Sequence, residues 1–173
     1  ILKFLIGFYI LLMALKVPFK FAVGGAIAFA LSSYFLIILE AGHNTKATAI
    51  AYVAPSLAGI LLTYRGKYLL GGALTALFFA LKLVANHVQI TYYMGMSLLI
   101  FGVIEVGRAI LQKNIASVVK PTFITLSALL LALLVNNTNL RLTADYVKDT
   151  QRGKSELAIK ARQKKEKAES AER

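Results

Sequence analysis

Long apolar runs alternate with short polar connections along this chain, and the lengths of the runs fit helices crossing a bilayer. A hydrocarbon core takes roughly 20 helical residues to cross. Phe4 to Leu15 is apolar but short, and Lys16-Val17-Pro18-Phe19-Lys20 closes it, with Pro18 suited to a tight connection. Phe21 to Leu39 follows, 19 residues without a charge and the cleanest predicted span. After Glu40-Ala41-Gly42-His43-Asn44-Thr45-Lys46 comes Ala47 to Tyr64, with Pro55 near its middle expected to kink it and Ser56 at hand for a freed carbonyl. Arg65-Gly66-Lys67 is short enough to demand an antiparallel hairpin into Tyr68 to Val84, whose Gly71-Gly72 permits close packing and whose Lys82 is expected to snorkel to the interface. Ile90 to Val106 and Pro121 to Val135 complete six predicted spans.

Between the fourth and fifth runs sits a polar knot, Ala85-Asn86-His87-Val88-Gln89-Ile90-Thr91-Tyr92-Tyr93. Amides and imidazole left unpaired in hydrocarbon are costly, so the knot is expected at a membrane face as a hairpin tip. The rival partition makes Leu83 to Ile104, 22 residues without a formal charge, one span with the knot at depth. The hairpin is preferred because Asn86, His87 and Gln89 crowd three polar groups into four residues.

Composition agrees with this pattern. With 58% hydrophobic and only 16% charged residues, the chain is too apolar for an ordinary soluble domain. The expected fold class is all-α, a polytopic transmembrane bundle over residues 1–135 followed by a polar, charged tail over 136–173. There is no cysteine, which excludes disulfides and thiolate chemistry. Opening on Ile1 inside an apolar run, without a Met, is expected of a piece of a longer protein. The tail from Ser155 reads as a solvated helix or disorder.

Lys and Arg in the short connections set the expected orientation. Lys16, Lys20, Arg65, Lys67, Arg108, Lys113 and Lys120 fall in the odd connections, and Lys46 stands alone in the even ones unless Lys82 is counted there. The odd connections are therefore expected in the cytoplasm, and Glu40, His43, Asn44, the knot and the tail outside. The tail is an objection, since residues 148–173 hold nine Lys or Arg against five Asp or Glu, but long exported regions translocate largely regardless of charge. Nucleic acid is disfavoured as a partner by this setting.

Several motifs carry a resemblance: Ala41-Gly42-His43-Asn44-Thr45-Lys46-Ala47, Ala54-Pro55-Ser56-Leu57-Ala58-Gly59, Thr63-Tyr64-Arg65-Gly66-Lys67-Tyr68, the knot itself, and Arg152-Gly153-Lys154-Ser155-Glu156-Leu157. Together, over roughly residues 40–157, they resemble the YfhO-type bacterial membrane proteins in the form seen in the Bacteroidetes group. The resemblance implies a membrane glycosyltransferase of the GT-C class in the bacterial inner membrane. Such an enzyme passes a sugar from a polyprenyl-phosphate donor to a cell-envelope acceptor, a glycopolymer, on the outer face. The acidic catalytic loop of that class has no counterpart here, so no catalytic residue is carried over and this piece alone is expected to be inactive.

Read for that chemistry, His43, His87 and Lys82 suit a phosphate, Asn44, Asn86 and Gln89 suit sugar hydroxyls, and Tyr92 and Tyr93 suit stacking on a sugar or isoprenoid. The plain alternatives are a hairpin cap for Asn86, His87 and Gln89, and an interfacial aromatic belt for the tyrosines. No cofactor is evident, and a divalent metal on Glu40, His43 and His87 is a weak alternative. The rival class is a transporter or flippase-like domain moving a lipid or polymer without chemistry, for which inverted repeats with broken helices would speak. A purely structural membrane scaffold is the third.

Overall fold

The computed structural model describes residues 1–148, and all nine elements among them are helices. They are α1 (Leu2–Ala14), α2 (Phe19–Ala30), α3 (Ser33–Glu40), α4 (Asn44–Ala51), α5 (Val53–Tyr64), α6 (Tyr68–Val84), α7 (Val88–Leu111), α8 (Ala116–Val135) and α9 (Asn137–Lys148). Residues 149–173, with the expected solvated tail from Ser155 and the last motif of the resemblance, lie outside the described residues. The chain divides into two compact units at Asn136, so α1 to α8 form one and α9 belongs to the other.

Among the described residues, four stretches are long and apolar enough to cross a membrane: Phe19–Glu40, Asn44–Tyr64, Val88–Leu111 and Ala116–Val135. Leu2–Ala14 and Tyr68–Val84 are apolar but shorter. At 1.5 Å per residue they reach about 20 and 25 Å, against a hydrocarbon core of about 30 Å. α6 stops at Val84 and α7 starts at Val88, so Ala85-Asn86-His87 form a turn and Leu83 to Ile104 is not one continuous helix.

Each of the five hairpin turns uses one residue in the left-handed region: Lys16 (φ 64°), Gly42 (φ 76°), Gly66 (φ 85°), Asn86 (φ 51°) and Lys113 (φ 53°). At four of these ends the two residues after the cap bond back to the helix in the Schellman pattern. Val17 N–H donates to Leu12 O and Lys16 N–H to Met13 O at α1, with equivalent pairs at Gly42, Gly66 and Lys113. Gly42 and Gly66 take this conformation without the Cβ penalty, and Asn86 takes it with a side chain that tolerates it.

The spans are less regular than the hydropathy suggests. Phe21 to Leu39 is not one helix: the backbone leaves helical geometry at Ser32 (φ −60°, ψ 142°), where the Ser32-Ser33 pair divides α2 from α3. Phe29 and Phe35 flank the break and stack with α1, Phe4 on Phe35 at 4.0 Å and Phe8 on Phe29 at 4.1 Å. Asn44–Tyr64 breaks at Tyr52, three residues before Pro55. Ser56 does not serve the carbonyl that Pro55 leaves free, because its Oγ donates to Tyr52 O at 2.7 Å. Ala51 O instead faces Gly7 of α1, where an added Cβ would lie 2.8 Å from it. The fifth predicted span extends past Val106 to Leu111, with Glu105 and Arg108 paired at 2.9 Å one turn apart. The sixth begins five residues before Pro121, which sits buried inside α8.

The tightest packing lies between α5 and α6. Gly59 and Thr63 on α5 meet Gly71 and Thr75 on α6 in reciprocal fashion. A Cβ on Gly59 would lie 2.6 Å from Thr75 N, and one on Gly71 would lie 2.6 Å from Gly59 O. Thr63 Oγ1 donates to Gly59 O at 3.0 Å and Thr75 Oγ1 to Gly71 O at 2.8 Å, so each hydroxyl is satisfied within its own helix while its small neighbour admits the partner backbone. Gly72, one residue on, faces Ile124 of α8 instead.

The seven cations do not all point into solvent. The Arg65 guanidinium donates to Ala14 O at the end of α1, and Lys120 Nζ lies 4.4 Å from the centroid of the Tyr68 ring. Tyr64 OH and Thr122 Oγ1 are hydrogen-bonded at 2.8 Å, which ties α5 to α8 at this basic end.

Candidate functional site

The buried face of α6 is Gly71, Thr75, Phe79, Lys82 and Leu83, so the 4-4-3 spacing that seats Gly71 and Thr75 against α5 carries Lys82 inward as well. The expected snorkel is therefore corrected: the Lys82 side chain is 0% exposed. Its Nζ lies 4.8 Å from the Phe79 ring centroid and has no hydrogen-bond partner. Three residues of the bundle contribute such orphaned buried polar atoms among those described: Lys82 Nζ, His87 Nδ1 and Thr125 Oγ1. Two of the three fall within Lys82 to His87, the end of α6 and the knot.

The rest of the knot is ordered by helix termination. Asn86 supplies the left-handed residue after α6, and its N–H donates to Leu83 O at 2.9 Å. His87 precedes α7, and its carbonyl accepts from Thr91 N at 3.2 Å and Thr91 Oγ1 at 3.3 Å. Gln89 Nε2 donates to Tyr93 OH at 3.0 Å, and the rings of Tyr92 and Tyr93 sit 5.9 Å apart on the exposed surface. Asn136, at the end of α8, closes the other side of α6, its Nδ2 donating to Ala80 O at 3.3 Å and to Ala132 O at 2.9 Å.

His43 immediately precedes α4, and α4 packs on both α6 and α7. The helix that starts from His43 thus joins the elements that carry Lys82 and His87. His43 and Asn44 are themselves exposed, and Asn44 lines a recess of about 500 Å³ on the side of α1, with Lys3 and Thr48. Sequence reading missed Lys3, whose Nζ lies 5.6 Å from the Tyr52 ring centroid. Among the described residues no three His, Cys, Asp or Glu side chains are grouped to hold a metal ion. Glu40, His43 and His87 are therefore not gathered into a metal-binding set.

This is the arrangement of an all-helical membrane protein: apolar helices long enough to cross, close glycine-mediated packing, and an enclosed ammonium beside a polar hairpin. The chain matches no family model, no curated protein and no solved structure.

Proposed function

We propose that this chain is part of a polytopic inner-membrane protein that binds an anionic lipid-linked sugar at the end of the bundle bearing the knot, on the outer face. In the light of the YfhO-type resemblance, it is the membrane domain of a glycosyltransferase using a polyprenyl-phosphate donor and a cell-envelope glycopolymer as acceptor. The observation that carries this reading is the orphaned Lys82 Nζ with the orphaned His87 Nδ1 five residues on. A buried ammonium without a partner costs the fold free energy and is a default mark of function inside a membrane. A phosphate oxygen is the partner it lacks. In the transfer, the bond from the sugar C1 to the donor phosphate breaks and the acceptor hydroxyl oxygen bonds to C1. The hydroxyl proton goes to a base, and the phosphate leaves on its lipid, stabilised by Lys82. Asn86 and Gln89 then meet sugar hydroxyls, and Tyr92 stacks on the sugar or the isoprenoid.

Binding of a polyprenyl-phosphate sugar to the purified chain tests this. We expect retention of the donor without turnover. His43→Ala and His87→Ala should each weaken binding about tenfold, the double variant less than additively if both serve one ligand. Additive losses, or no donor retained, refute a shared site. The transporter reading draws on the helix breaks at Ser32 inside Phe19–Glu40 and at Tyr52 inside Asn44–Tyr64. Flipping of a labelled lipid by the chain in liposomes would favour it over transfer.

Orientation has its own test. Lys67→Cys and Gln89→Cys avoid the left-handed positions Gly66 and Asn86, where a cysteine would be strained. In intact cells an impermeant thiol reagent should reach position 89 and not position 67. Labelling of both from one side would contradict an outer-face site.

A further inference from the structure

The basic end of the bundle is hollowed. Between α5, α7 and the start of α8 lies a cavity of about 380 Å³ whose polar wall is Tyr64, Arg65, Glu105, Arg108, Gln112 and Ser117. Two guanidiniums and one carboxylate line it, so the wall carries a net positive charge. Glu105 is the more enclosed, its side chain 18% exposed, while Arg108 is 61% exposed at the rim and open to a ligand. Each guanidinium has five N–H donors. Arg65 uses its Nη1 on Ala14 O, and Arg108 its Nη1 on Glu105 at 2.9 Å, so both are oriented with donors to spare. Planar guanidinium forks of this kind suit the oxygens of phosphate and carboxylate groups.

A second observation decides between a lipid and a soluble phosphate. Ala109 and Val118, which line the polar cavity, also line an apolar groove of about 410 Å³ between α7 and α8 that includes Ile110, Ile115, Val119, Phe123 and Leu126. A polar cavity adjoining an acyl-sized apolar groove at the end of membrane-crossing helices matches one molecule with a phosphate head and a hydrocarbon tail. We infer that this end of the bundle binds an anionic glycerophospholipid, its phosphate between Arg65 and Arg108 and an acyl chain along the α7–α8 groove. The basic pockets between transmembrane helices that hold anionic headgroups work by the same forces. This inference stands apart from the donor site, which lies at the opposite end of α6.

The test is thermal unfolding of the purified full chain in a neutral detergent with phosphatidylglycerol, phosphatidylcholine or inorganic phosphate added. Phosphatidylglycerol at about a hundredfold excess over its Kd should raise the midpoint by roughly 5–10 °C, and the other two should give less than a third of that. Arg108→Gln should cut the shift by more than half, Arg108→Lys should fall between, and Lys20→Gln, which removes an exposed cation outside the cavity, should leave it intact. Should Arg108→Gln also lower the basal midpoint, native mass spectrometry of bound phosphatidylglycerol gives the same comparison without it. An equal shift with phosphatidylcholine, a full shift with inorganic phosphate alone, or a phosphatidylglycerol shift unchanged in both Arg65→Gln and Arg108→Gln overturns the proposal.

Discussion

Gly71→Leu is expected to abolish the folded bundle, and Gly71→Ala to destabilise it by about 1–3 kcal/mol or more, in line with overpacked interiors. The reason is that the obstacle is backbone. A Cβ at position 71 would meet Thr63 N at 2.5 Å and Gly59 O at 2.6 Å, and neither can rotate away as the end of a long side chain would. Gly59→Ala should behave alike, since its Cβ would meet Thr75 N at 2.6 Å and Gly71 O at 2.9 Å. Relief would require α5 and α6 to separate along the whole Gly59–Thr63 and Gly71–Thr75 contact, which would also loosen what packs on the outer sides of both. The control lies on α7. Gly95→Ala and Gly102→Ala have nothing within 4 Å of the new methyl group, so they should be neutral or add up to about 1 kcal/mol through helix propensity. Unfolding midpoints in detergent decide it. If Gly71→Ala and Gly102→Ala shift the midpoint equally, the close approach of α5 and α6 does not carry the fold.

The turns were legible in the sequence because polarity and backbone geometry coincide there. Arg65-Gly66-Lys67 and Asn86-His87 interrupt apolar runs with residue types that also tolerate positive φ, and both end helices as expected. The break at Ser32 was not legible from hydropathy. Two serines leave an apolar window nearly unchanged, and their effect on the backbone depends on Phe29 and Phe35 finding Phe4 and Phe8 across the gap. Pro121 misled in the opposite direction. It marks a helix start in the sequence reading, yet α8 begins at Ala116 and Pro121 lies inside it.

Lys82 stands out in the sequence as a charge near a helix end, but its aliphatic stem there invites snorkelling, and hydropathy carries no information on which face a residue occupies. The signal was present in the spacing of Gly71, Thr75, Phe79 and Lys82, which puts the lysine on the face already marked by small residues. Asn86 shows the converse, a polar residue whose place is accounted for by the helix end it terminates. The cavity at the basic end escaped the sequence altogether. Glu105, Arg108 and Gln112 looked like the margin of a loop, and only the extension of α7 to Leu111 brings them against Arg65 and Tyr64.

Lys82→Met should separate stability from function. Methionine nearly matches the lysine stem in length and shape and removes the ammonium, which is 0% exposed and has no hydrogen-bond partner. Leaving a buried polar group unsatisfied costs about 1–3 kcal/mol, and more when it is charged, so the variant should unfold at a higher temperature than the parent. Binding of a polyprenyl-phosphate sugar should move the other way and fall by about tenfold to a hundredfold, the loss of one charge-assisted contact to phosphate. Lys82→Arg keeps the charge in a bulkier group and should recover neither property in full, because the side chain is fully buried with its Nζ already 4.8 Å from the Phe79 ring centroid. The opposed signs are what give the test its force, since a residue that merely packs would lower stability and binding together. A destabilised Lys82→Met chain would mean that the ammonium has a partner when folded, and an unchanged donor affinity would remove Lys82 from the phosphate site.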